Sequence, residues 1–231
     1  MDRPSLARRC FTEGFGTFAL VFAGCGAIVL DSERGGSLGS TGIAAAFGLV
    51  IMAMIYATGH LSGAHINPAV SVAFSATRHF PLRDVAAYIP SQLVGAVAGA
   101  LLLRIVWEGT PANLGATVPS VGVGSALVYE GVMTAFLMFV IMAVATDTRA
   151  VGAAAAIAIG GTVALDSLFG GGVTGASMNP ARSFGPALVA GEWRDFWVYV
   201  IGPTVGALAG ALAYELARGS RSSHRASSET T

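Results

Sequence analysis

Lysine is absent from this sequence; its 13 basic residues are all arginine. Charged residues of both signs fill only 11% of the 231 positions, where a soluble globular chain carries about 25%. A chain so poor in charge cannot coat itself with a water-facing surface, so its solvent is a lipid bilayer. Thirteen acidic residues balance the arginines, and the zero net charge excludes the basic footprint of a nucleic-acid binder. Cysteine occurs only at Cys10 and Cys25, both in or beside the first apolar run. That excludes a disulfide framework and leaves two small buried thiols. What the chain has instead is apolar bulk, 54% of residues, and 31 glycines. Small residues let helix backbones approach closely inside membranes.

A bilayer core of ~30 Å takes about 20 apolar residues to cross as helix. Six runs qualify, at 11–30, 42–60, 84–106, 124–146, 150–169 and 196–217. The first follows Arg8 and Arg9 but is too long for a signal-peptide core, contains Glu13 and lacks an evident cleavage site, so it reads as a retained helix. Residues 1–10 then form a cytoplasmic lead, 11–217 one membrane domain, and 218–231, rich in Ser, Arg and Thr, a disordered cytoplasmic tail. Loop arginines set the orientation. Arg3, Arg8, Arg9, Arg78, Arg83, Arg149, Arg218, Arg221 and Arg225 fall on one side, Arg34 and Arg194 on the other, and Arg104 near a helix end. The excess places both termini in the cytoplasm.

The chain repeats itself. Glu13-Gly-x-x-Thr17-x-x-Leu20-x-Phe22 returns as Glu130-Gly-x-x-Thr134-x-x-Leu137-x-Phe139. Ser62-Gly-Ala-His-Ile-Asn-Pro-Ala-Val70 returns as Thr174-Gly-Ala-Ser-Met-Asn-Pro-Ala-Arg182, and Val94-Gly-Ala-Val-Ala-Gly-Ala100 as Val205-Gly-Ala-Leu-Ala-Gly-Ala211. The order is kept, at offsets between 111 and 117 residues. The halves, about 11–107 and 124–217, hold three spans each. An odd number of crossings makes the second half inverted relative to the first, and inverted repeats with broken helices mark membrane transport proteins.

The two Asn-Pro-Ala segments are the broken helices. Asn67 and Asn179 are strong N-caps; Pro68 and Pro180 suit the first helical position, and Ala69 and Ala181 continue it. Ten residues from Pro68 to Thr77 make ~15 Å of helix, half of the ~30 Å core. The first segment lies in a cytoplasmic loop and the second in an outer one. Two half-helices entering from opposite faces therefore meet, N-terminus to N-terminus, near the midplane. Non-helical backbone at that depth must be buried in protein or line a wet cavity. The fold class expected is an all-α membrane protein with six spanning helices and two re-entrant half-helices in an inverted 3+3 repeat. The Asn amide NH2 groups are expected to face the lumen as donors. The half-helix dipoles, each worth about half a positive charge, would orient passing water and repel cations.

With these motifs over residues 10–217, the sequence resembles the major intrinsic proteins, the family of aquaporins and glycerol channels. The resemblance implies one pore per subunit, a homotetramer in the cell membrane, passage of water and small neutral solutes, and no enzymatic activity or cofactor. It also implies an outer constriction at Phe47, Ser167, Ala176 and Arg182. Water-selective members place His where Ser167 stands. Glycerol-type members usually have Trp, Gly and Phe there, with Asp after the arginine, where this chain has Ser183. Ser183, Ala187, Tyr199 and Val200 look more like the plant nodulin-like branch, which passes glycerol and small neutral hydroxides.

Arg182 at membrane depth is a functional residue by default. Glu13 and Glu130, a repeat pair, read as scaffolds that accept hydrogen bonds from the re-entrant loops; a proton relay is the other reading. Asp166 reads as an outer-vestibule residue or a counter-ion of Arg182. His60 and His65 read as loop-holding hydrogen-bonders, without the third ligand a metal site needs, and His79 as an interfacial cytoplasmic residue. Pro186 removes the helix bond to the Arg182 carbonyl, so a kink is expected. A coupled secondary transporter would share this architecture, but no span offers the carboxylate cluster an ion site needs. A membrane-embedded enzyme would need a nucleophile–base pair or a metal set.

Overall fold

The computed structural model describes residues 4–147 and 154–219. Arg3, Arg149, Arg221, Arg225, the start of the fifth expected span and all but the first two residues of the expected tail lie outside them. Helices follow one another in the order α1 Leu6–Leu20, a π-turn Val21–Cys25, α2 Gly26–Glu33, α3 Gly39–Ser62, α4 Pro68–Ala76, α5 Leu82–Val106, a short turn Pro111–Gly115, α6 Val123–Thr146, α7 Ala155–Thr174, α8 Pro180–Ala190 and α9 Val198–Arg218. Leu6–Glu33 runs on through the π-turn as one span of 28 residues, so among the described residues six segments are long and apolar enough to cross a membrane. The first begins at Leu6, inside the stretch read as a cytoplasmic lead.

Burial is inverted relative to a water-soluble domain. Phe11, Leu82 and Leu216 are 75%, 75% and 83% exposed, while Glu13, Thr17, Gln92, Glu130 and Thr134 are fully buried. Apolar side chains thus face the lipid and the polar ones face each other. The sequence repeat appears in space as matched helix pairs, α1 on α5 and α6 on α9, with α3 on α7 crossing between the halves. Glycine makes these crossings possible. A Cβ at Gly95 would overlap the Gly14 carbonyl, and one at Gly206 the Gly131 carbonyl. Gly48 and Gly160 meet reciprocally, each with a hypothetical Cβ 2.6 Å from the other's carbonyl oxygen. That reciprocity marks the pseudo-twofold axis.

The short helices α4 and α8 hold 9 and 11 residues, about 14 and 17 Å. Each spans about half of a ~30 Å core. Thr77, expected as the last residue of the first, is its C-cap. The chain stays helical through Pro186 to Ala190. Cys25 is buried as expected; Cys10 is partly exposed.

Candidate pore and selectivity site

Asn67 and Asn179 each begin a half-helix in the expected way. Asn67 Oδ1 accepts from the Ala69 N–H at 2.9 Å, and Asn179 Oδ1 from the Ala181 and Arg182 N–H groups at 3.0 and 3.3 Å. Their amide NH2 groups do more than face the lumen. Asn67 Nδ2 donates to the Met178 carbonyl, and Asn179 Nδ2 to the Ile66 carbonyl, each at 2.8 Å. Each amide therefore ties its own half-helix to the residue before the other Asn, and one of its two hydrogens remains for a passing molecule. Both Asn residues line one cavity of about 490 Å3 that also touches Phe47, Ala176 and Arg182. Ile51, Ile55, Leu137, Ile141, Ile159 and Val163 give it an apolar wall.

The loops leading into the half-helices are strained and held. Gly63 and Gly175 close α3 and α7 in the left-handed conformation, at φ 93° and 86°. Ala64, Ile66, Ala176 and Met178 also have positive φ, which costs about 1–3 kcal/mol each for residues with side chains. Two buried carboxylates offset this. Glu13 accepts from the Ser62 hydroxyl and the His65 N–H on one oxygen, and from the Ile66 N–H and Gln92 Nε2 on the other, at 2.6–3.0 Å. Glu130 accepts from the Thr174 hydroxyl, the Ser177 N–H and the Met178 N–H at 2.7–2.9 Å. Charge-assisted bonds of this kind are about twice as strong as neutral ones. The scaffold geometry expected of this pair is present. Tyr88 and Tyr199 add a second matched pair, donating to the Ser62 and Thr174 carbonyls at 2.8 and 2.6 Å. Sequence reading missed their role, although both stand six residues before the repeated Val-Gly-Ala.

Arg182 is 1% exposed. Its Nη1 donates to the Gly115 carbonyl at 2.6 Å, and its Cζ sits 4.8 Å from the centre of the Phe47 ring. Nε and Nη2 have no protein partner among the described residues. The Phe47 ring and the Arg182 guanidinium are therefore in contact on the wall of the cavity. Ser167, 9% exposed, is buried on α7 and is not part of the cavity wall. Gly115 and its turn were not foreseen. Ala112, Asn113 and Leu114 all have positive φ, and nothing in Pro-Ala-Asn-Leu-Gly announces such a left-handed run. Thr117 follows it and meets the Ser183 hydroxyl at 2.7 Å, which in turn meets Ser177 at 2.6 Å.

Three expectations are corrected. Asp166 is not the counter-ion of Arg182: both its oxygens lack a hydrogen-bond partner among the described residues, and Arg182 is held by a backbone carbonyl. His60 does not belong to the first re-entrant loop, because α3 continues to Ser62 and leaves it exposed at the cavity mouth. His65 does hold that loop, by its N–H to Glu13 and its ring against Ser71 Oγ at 3.0 Å, wedged among Phe74, Phe80 and Tyr88. His79 is exposed and lies 3.7 Å from Glu215. The Asn amides, expected only as lumen donors, also bridge the two loops.

Residues 1–214 match the family model of the major intrinsic protein. The chain belongs to the major intrinsic protein family. It is 47% identical over 211 residues to aquaporin NIP1-1 of Oryza sativa subsp. japonica, covering 91% of this chain and 74% of that one. It is also 47% identical to nodulin-26 of Glycine max, covering 91% and 78%. An X-ray structure of the aquaglyceroporin from Plasmodium falciparum superposes with a TM-score of 0.80 at 28% identity, over 91% of this chain and 96% of that one. Six apolar helices and family membership make this a multi-pass membrane protein of the major intrinsic type.

Proposed function

We propose that this protein is a passive channel for water and small uncharged solutes such as glycerol, and that it excludes protons and ions. One observation carries the reading: two capped half-helices aim their N-termini at a single cavity, with an Asn amide from each on its wall. Each N-terminus adds about half a positive charge. Water crossing between them turns its oxygen toward both, which breaks a continuous proton wire and opposes cations. The relatives named aquaporin and aquaglyceroporin support the solute range.

In this reading Asn67, Pro68, Ala69, Asn179, Pro180 and Ala181 form the central constriction. Phe47, Ser167, Ala176 and Arg182 form the outer filter, with Phe47, Ala176 and Arg182 on the cavity wall and Ser167 off it; Arg182 Nε and Nη2 are donors for a solute hydroxyl. Glu13, Glu130 and His65 hold the loops. Residues 11–217 act as one channel domain in two halves, the protein is a homotetramer of the cell membrane, and both termini are cytoplasmic. The described arginines Arg8, Arg9, Arg78, Arg83 and Arg218 against Arg34 and Arg194 support that orientation.

The experiment is stopped-flow light scattering on liposomes that hold the purified protein. Water, glycerol and urea gradients are applied side by side, with a pH-sensitive dye inside. Water and glycerol fluxes well above empty liposomes, linear in gradient and with no proton leak, are expected. Saturation, or dependence on an imposed ion gradient, makes it a coupled transporter instead.

A further inference from the structure

Phe47 leans on a residue that has no side chain. A Cβ built on Gly24 would stand 2.7 Å from Phe47 Cζ, and nearer still to Cδ1 and Cε1 of that ring. The ring thus fills the space that a side chain at position 24 would take. Gly24 lies in the π-turn Val21–Cys25; such turns are rare and concentrate at functional sites. The same turn reaches the anchor of Arg182. Cys25, fully buried, lies with its Sγ 4.0 Å from the Gly115 carbonyl oxygen that Arg182 uses. A Cβ on Gly115, whose φ is +72°, would be 3.0 Å from Cys25 Cβ. One turn of the first span therefore backs both partners of the Phe47–Arg182 contact: the Phe47 ring through Gly24, and the Arg182 guanidinium through Cys25 and Gly115.

We infer that Gly24 is a positioning residue that sets solute specificity, by letting the Phe47 ring withdraw toward the first span and so fixing its distance from Arg182. The inference rests on the proposed role of Phe47 and Arg182 as the outer filter. A methyl at position 24 needs about 3.5–4.0 Å to each ring carbon, so the ring must shift by roughly 1 Å. The first span blocks one direction, and the ring lines the lumen in the other. Arg182 cannot withdraw without giving up its bond to Gly115. The added methyl therefore pushes the ring into the lumen beside Arg182, which costs the larger solute more than water.

The test is Gly24→Ala in liposomes, with water and glycerol fluxes measured on the same preparation. Glycerol permeability per folded channel is expected to fall about tenfold, the equivalent of ~1.4 kcal/mol in the barrier. Water is expected to fall by less than about threefold. Adding Phe47→Leu to the variant shortens the displaced side chain and restores the native glycerol-to-water ratio. A glycine needed only for folding would lower yield and leave that ratio unchanged; an unchanged ratio overturns the inference. If Gly24→Ala yields no folded channel, recovery of folding by Phe47→Leu supports the contact and failure to recover overturns it. If the native protein passes water but no glycerol, the solute range proposed above is wrong, while Gly24→Ala must still lower water flux and Phe47→Leu restore it. A native protein that passes neither overturns both.

Discussion

The two re-entrant segments share a backbone and differ in what they carry. Both leave a helix through a left-handed glycine, Gly63 or Gly175, hang on a buried carboxylate, Glu13 or Glu130, and start a half-helix at Asn-Pro-Ala. Three residues after each Asn the likeness ends: Val70 stands in the inner segment and Arg182 in the outer one. The outer segment also receives a loop that the inner one has no equivalent for, with Gly115 holding Arg182 and Thr117 holding Ser183. In the inner segment Ser71 is met instead by His65 and Gln92. The symmetric Glu and Gly pairs hold the backbone and the symmetric Asn pair lies on the cavity wall, where the asymmetric Arg182 adds a charge. The duplicated Glu and Gly pairs are scaffold, and the proposed outer filter takes its one charge, Arg182, from a position where the duplication is broken.

Arg182→Val erases the asymmetry and has the largest expected effect. A unit charge about 5 Å from a passing ion, at an effective dielectric of ~20, contributes ~3 kcal/mol. Its loss should raise leakage of small cations on the order of a hundredfold. Cation flux in liposomes checks this. Leakage that stays at the empty-liposome level would mean that the half-helix dipoles exclude ions unaided.

How much of this could be read from the sequence follows the same division. The Asn-Pro-Ala caps, the Glu pair and the Gly stripes recur as written words, so pattern and N-cap chemistry sufficed to place two opposed half-helices. The features that went unread are made by single residues meeting across long separations. Asn67 reaching Met178, or Arg182 reaching Gly115, has no local signature. The π-turn at Val21–Cys25 carries no proline to announce it. The resemblance put Ser167 in the filter, and it stands on α7 off the cavity wall; a family pattern does not tell whether a small side chain reaches the lumen.

Glu13→Gln and Glu130→Gln test the symmetric frame. In either variant the amide NH2 faces at least one backbone N–H that has lost its acceptor, at a cost of about 1–3 kcal/mol. Both should lower the melting temperature in detergent by similar amounts and leave the glycerol-to-water ratio of the folded fraction intact. A normal melting temperature with altered proton flux would restore the proton-relay reading for that carboxylate.

Ser167→His is expected to act on the filter alone. Ser167 is nearly buried on α7, and under the proposed filter assignment an imidazole there extends into the passage. Glycerol flux should fall about tenfold while water changes far less. Equal loss of both fluxes would place Ser167 outside the filter and leave Phe47, Ala176 and Arg182 to form it.

The smallest effect is expected from Gln92→Met, which makes the inner frame resemble the outer one. Gln92 supplies Glu13 with its fourth donor, at 2.9 Å, and reaches Ser71 at 3.2 Å. At the matching place in the second half stands Pro203, which has no such donor, and Glu130 holds its loop with the three remaining bonds. The Oε1 atom of Gln92 is itself buried without a hydrogen-bond partner among the described residues. Methionine keeps the side chain's length and fills the same space. It gives up two hydrogen bonds from Nε2 and removes one unsatisfied acceptor, terms of opposite sign that are each about 1–3 kcal/mol. The net loss should stay below about 1 kcal/mol, visible as a small drop in melting temperature with both fluxes unchanged. A drop as large as that of Glu13→Gln would show that the inner carboxylate needs its fourth donor. The two halves would then be held by different frames, not by one frame used twice.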